Sequence, residues 1–256
     1  MSIHKFIIRF DTEVSFKLLD YPGTALKLLK TSFDDGWNNL GLDVQPTTKI
    51  TAIQSDKDDI SREVVVEPKF ITYMEESANG KTVDNFLQDP FIKQLFEFID
   101  VYFNEFEIRN INRAGIRIFD FQENETRDEV RDFFKKECSS RLQQAIENAN
   151  GSTFDYGVIL EGNIDEDIKF RYATGPFADG DIVRHFQKVK NISENSKDKF
   201  SLTLDLDLYQ SSFTTSYAKA SKWLATNFDK ANRFKEAIRK DIFKKPDNIE
   251  EKKNGN

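Results

Sequence analysis

Asp205 and Asp207 stand two residues apart in FSLTLDLDLYQ (200–210), a stretch that alternates like a strand. On extended chain Leu202, Leu204, Leu206 and Leu208 take one face, and Thr203, Asp205, Asp207 and Tyr209 take the other. Two carboxylates on one face, with Cα atoms roughly 7 Å apart, can bracket a divalent cation if a third oxygen ligand joins them. That chemistry would suit a metal-dependent nuclease or phosphodiesterase, with Lys169 or Arg171 steadying a phosphate. The same pair also suits a salt-bridge ladder. The segment IKFRYA puts Lys169 and Arg171 on one face and Ile168, Phe170 and Tyr172 on the other, and Arg117 in GIRIF can join the cations. If these strands pair, cations meet carboxylates, each cross-strand pair contributing about 0.2–1 kcal/mol. Structural ion pairs imitate functional sites, so the ladder is preferred and no metal is assigned.

Other chemical signals are weaker. Gly80-Lys81-Thr82 ends like a phosphate loop, but the full pattern needs glycine where this chain has Glu75. Glu75 and Glu76 would repel a phosphate, and a turn at Asn79-Gly80 is expected instead. Glu67-Pro68-Lys69 mimics the end of a nuclease strand, yet Pro68 lacks a backbone donor and marks an edge strand. NIDEDIK (163–169) alternates oxygen ligands without the glycine and distal glutamate of a calcium loop; a solvated turn is expected. Cys138, flanked four residues away by Phe134 and Leu142, reads as a buried, inert thiol. His4 and His185 show no acid–base partner, and nucleophile-elbow, zincin and dinucleotide signatures are absent. No enzyme signature survives, and no cofactor is expected.

Charge is unevenly placed. Lys219 to Lys245 carries nine basic and three acidic side chains, a local +6 in a chain of net −7. Lys219, Lys222, Lys230, Arg233 and Lys240 lie mostly away from an apolar helical stripe, with Trp223 near them. Such a face can meet phosphates, anionic partners or acidic protein surfaces. Cations late in a helix also offset its dipole and keep a surface solvated, which is the plainer reading.

The whole-chain balance bounds the rest. At 256 residues the chain can bury a substantial core, and 24 Phe exclude disorder for its bulk. The net negative charge argues against a general nucleic-acid binder. No apolar run reaches membrane-spanning length, and MSIHKFIIRFDTEV meets charge too early for a signal-peptide core. A single cysteine excludes an intramolecular disulfide and fits a reducing compartment, so a soluble cytoplasmic protein is expected.

The elements that must position these groups follow from periodicity. Strands are expected at the N-terminus, 49–53, 63–74, 107–121, 154–163, 167–175 and 200–210, with the charged QSDKDDIS as a loop. A short helix is expected over 21–33. A longer one over 89–106 starts at the Asp89-Pro90 cap. Thr126 and Glu129 form a capping box for 127–149, and Asn150-Gly151 stops it. The last helix is expected over 214–243. This pattern predicts an α+β fold, largely antiparallel sheet packed by three long amphipathic helices, with room for two similar lobes. The division falls at QENETRD, giving lobes of residues 1–122 and 123–245 and a disordered tail of 246–256.

INRAGIRIFDF (111–121) resembles the R-x-G-x-R strand segment of a sporadically distributed bacterial and archaeal family of similar length. The D-x-D strand followed by a long terminal helix is similar to that family's C-terminal end. Arg113, Gly115, Arg117, Asp205 and Asp207 are the matching positions. The family has no established activity, and its patchy distribution implies accessory systems such as phage defence or toxin–antitoxin operons. Three readings follow. The favoured one is a non-enzymatic interaction protein, a partner subunit or sensor that binds a protein partner, for which neighbouring genes are the first candidates. The others are a metal-dependent nuclease at Asp205 and Asp207, and a nucleic-acid or nucleotide sensor acting through the basic helix.

Overall fold

The computed structural model describes residues 3–33, 39–43, 48–56, 59–81, 88–124, 128, 148–149, 157–177, 186, 200–214 and 220–242. One antiparallel sheet dominates them. Its strands are β1 (Ile3–Thr12), β2 (Asn39–Asp43), β3 (Lys49–Asp56), β4 (Ile60–Glu67), β5 (Phe70–Lys81), β6 (Asn110–Asn124), β7 (Val158–Asn163), β8 (Ile168–Thr174), β9 (Pro176–Phe177) and β10 (Phe200–Thr214). Nine run in the order β2-β3-β4-β5-β1-β6-β10-β8-β7, and β9 adds a short pairing to β10. The order joins strands from both sides of residue 122 through the β6–β10 ladder.

The expectation of three long helices packing the sheet is overturned. The described helices are α1 (Phe16–Asp20), α2 (Pro22–Ser32), α3 (Pro90–Glu105) and α4 (Ala220–Ile242), and the sheet outweighs them. The helix expected at 127–149, with Cys138, lies outside the described residues apart from isolated positions, as do His185 and the 246–256 tail. Strands are also longer than their apolar alternation suggested. β3 continues through Gln54, Ser55 and Asp56 into the expected loop, because each pairs with β4. β10 runs to Thr214, paired with Asn110, so the last helix begins after the expected position.

Two local expectations are also corrected. Pro68 occupies the two-residue turn of the β4–β5 hairpin, where its missing N–H is harmless, and these are interior strands. Gly80 has φ 64° inside β5, where the register with β1 slips between Lys5–Glu76 and Ile3–Lys81. The left-handed glycine serves a bulge rather than a free turn.

The helices cover one sheet face. Phe6, Ile8 and Phe10 of β1 and Ile116 and Ile118 of β6 enter a core with Leu18, Leu29, Phe98, Phe103, Leu224 and Phe228 from the helices. Aromatic edges seat the layers: Phe6 meets Phe228 with centroids 4.9 Å apart, and Phe10 meets Phe103 at 5.5 Å. Asp89 caps α3 by accepting from Phe91 N at 2.9 Å, and Pro90 follows at the first turn. Tyr172, Leu204 and Leu206 form a second apolar cluster with Phe234 and Ile238 of α4.

Candidate functional site

The opposite face carries the charge. Ile7, Arg117, Asp207, Arg171 and Glu161 stand in register across β1, β6, β10, β8 and β7. Arg117 leans diagonally to Asp205, donating from Nε to Oδ1 at 2.7 Å and from Nη2 to Oδ2 at 2.5 Å. This two-pronged pair supplies geometric specificity as well as charge, and hydrogen bonding to Asp205 raises the guanidinium further. Arg113 donates from Nη2 to Asp207 Oδ2 at 2.5 Å. Burial raises the Asp207 carboxyl above its ordinary value although Arg113 and Arg117 pull it down. Asp207 therefore binds a proton more readily in the folded than in the unfolded chain, so this group's contribution to stability is present at low pH and falls as pH rises through the raised value.

The aspartates face basic partners, but those cations come from β6. Arg171, directly opposite Asp207, turns to Glu161 at 3.4 Å. Lys169 lies opposite Tyr209 and is exposed. β10 sits between β6 and β8, and a sequence pattern alone does not reveal which neighbour's side chains lean toward it. Among the described residues no group of three His, Cys, Asp or Glu is placed to hold a metal ion.

The R-x-G-x-R segment acquires a physical reason. Arg113 lies along its own strand to reach Asp207, with its guanidinium 4.6 Å from the Tyr209 ring centroid. Gly115 lies between them in sequence and opposite Tyr209 in the ladder. A Cβ at Gly115 would approach Arg113 Nη1 to 2.9 Å, so a side chain there lifts the guanidinium. Gly115→Ala is expected to destabilise the chain by about 1 kcal/mol in urea titration through loss of this partly exposed ion pair and stack. An Arg113→Ala background should remove most of that loss; an undiminished loss would place the clash elsewhere.

The basic helix is less open than its sequence suggested. Lys222, Arg233 and Lys240 are exposed, but Arg233 pairs with Asp229 at 2.7 Å and Lys230 with Asp165 at 2.6 Å. Trp223 turns inward, packing on Phe10 and donating from Nε1 to Gln210 Oε1 at 2.6 Å. Lys219 lies outside the described residues.

Two buried networks under the helices were not anticipated. His4 Nδ1 lies 3.0 Å from Asp120 Oδ1, and Lys235 Nζ lies 3.8 Å from Asp120 Oδ2. Lys235 is 0 % exposed. Elsewhere Arg62 gathers Glu75 at 2.9 Å, Asp89 at 2.7 Å and Gln54 at 2.9 Å, while the Tyr73 hydroxyl donates to Glu75 at 2.5 Å. Burial, followed by the Glu75 carboxylate, pushes the Tyr73 phenol well above its ordinary value, which keeps it a donor. Both networks were visible as polar residues at core parity: His4 precedes Phe6 and Ile8, Asp120 follows Ile116 and Ile118, and Lys235 falls in the stripe of Phe228, Ala231 and Ile238.

Fold and site together define a sheet-dominated protein with helices on one face and an arginine–carboxylate ladder on the other. No family model matches the chain, and neither curated proteins nor solved structures provide a significant match.

Proposed function

We propose that the chain is a non-enzymatic interaction module that docks a protein partner through the corner formed by α1 and the start of α2. The carrying observation is exposed apolar surface there: Phe16 is 72 % and Tyr21 61 % exposed, with Leu19 also exposed between them. Aromatic side chains left in water add little to a fold but are enriched at interfaces. The corner is firmly seated, since Ser15 caps α1 and Lys17 Nζ donates to Glu105 O of α3 at 2.6 Å. Both carboxylate oxygens of Asp205 accept from Arg117, which supports a structural role for the D-x-D strand rather than metal chemistry. The accessory-system setting belongs to the proposal through the resemblance at Arg113, Gly115 and Arg117.

Native mass spectrometry of the chain isolated with its neighbouring genes intact should show a defined heavier species. The double variant Phe16→Ser, Tyr21→Ser should run as the bare chain with an unchanged circular dichroism spectrum. A bare wild-type chain, or a complex that survives both substitutions, would overturn docking at this corner.

A further inference from the structure

A groove of about 370 Å³ opens between the β7–β8 turn and α4. Asp165, Glu166 and Asp167 line one side, and Gln210, Asn227 and Lys230 line the other. Three carboxylates and one ammonium line it, so the groove is acidic although the helix beside it is basic. The turn is the NIDEDIK segment, whose Asp165 Oδ1 accepts from Asp167 N at 3.1 Å and Ile168 N at 2.9 Å. Its Oδ2 accepts from Lys230 Nζ at 2.6 Å. Asp165 is therefore engaged at both oxygens.

Asn227 supplies an independent observation. It is 4 % exposed, its Nδ2 donates to Trp223 O at 2.9 Å, and its buried Oδ1 has no hydrogen-bond partner. A buried carbonyl without a donor is destabilising and calls for one. Gln210 does not serve as that donor. Lys230 lies three residues further along α4, and helical side chains lean toward the N-terminus, so its stem covers the Asn227 turn.

We propose that this groove binds a primary alkylammonium group, with the Glu166 and Asp167 carboxylates and Asn227 Oδ1 as its acceptors. The ligand head displaces the chemically equivalent Lys230 ammonium from the mouth and reaches the carbonyl behind it. A hard divalent cation fits less well, because among the described residues no group of three His, Cys, Asp or Glu is placed to hold one. The residues lining the groove are not those of the α1 corner.

Isothermal titration calorimetry at low salt tests it with three probes: spermidine, Nα-acetyl-lysine amide and calcium chloride. Saturable one-site binding is expected for an alkylammonium probe. Spermidine binding more tightly identifies a free amine as the source, whereas equal or tighter binding of the lysine amide identifies a protein side chain. The charge-neutral Asn227→Ala is expected to weaken binding at least tenfold, and Lys230→Met to tighten it severalfold. Glu166→Gln with Asp167→Asn, both exposed, should weaken binding without disturbing the fold. Absence of saturable binding, stronger binding of calcium, or an Asn227→Ala affinity equal to wild type would overturn the proposal.

Discussion

Asp120→Ala is expected to destabilise the protein by roughly 3–5 kcal/mol, because it removes a buried carboxylate from beside a buried cation. Asp120 sits at the end of the apolar run of β6, and α4 lays Lys235 over it with no part of the lysine exposed. The carboxylate also meets His4 Nδ1 and accepts from Phe121 N at 2.9 Å. Glu236, 3.6 Å from Lys235 Nζ, is partly exposed and so a weaker counter-charge than the buried Asp120 carboxylate. Asp120→Asn combined with Lys235→Met should be far milder, within about 2 kcal/mol of wild type, since it removes both charges and keeps the lysine's volume. Urea titration followed by tryptophan fluorescence reads the comparison. If Asp120→Ala unfolds with the double variant's midpoint, the charges are not coupled and the network has no such role.

The placement of these networks shows how much was readable beforehand. Strand alternation and the Asp89-Pro90 cap locate β1, α3 and most of β10, because those signals are local. The weight of the sheet was not readable. Polar residues such as Gln54, Ser55 and Asp56 extend β3 only because β4 supplies hydrogen-bond partners, a nonlocal cause. The same limit governs the aspartates: their spacing predicts a shared face, but only register reveals Arg113 and Arg117 as their partners. Buried polar residues are different. His4, Arg62, Glu75, Asp120 and Lys235 interrupt apolar stripes at core positions, and burial forces such groups to find partners. Reading an apolar face for its exceptions finds them; reading it for its hydrophobic residues alone does not.

Arg62→Met is expected to have a comparable effect, about 3–5 kcal/mol, for the opposite charge. Burial pulls the guanidinium down, but Glu75, Tyr73 and Asp89 together more than reverse this, so it remains charged. It spends its donors on three elements: Gln54 on β3, Glu75 on β5 and the α3 cap Asp89. It also lies 4.9 Å from the Phe91 ring centroid, binding the first turn of α3 to the sheet. Methionine keeps much of the stem's packing while removing the positive charge beside Glu75, which is 3 % exposed. Tyr73→Phe should lose only about 1–2 kcal/mol, because the carboxylate keeps its arginine and one hydrogen bond disappears. Amide hydrogen exchange separates this effect from general loosening: in Arg62→Met, protection should fall first at the start of α3, where Asp89 loses its contact with Arg62. If protection falls uniformly across the sheet while the α3 amides stay as slow as in wild type, the arginine supports the core rather than the cap.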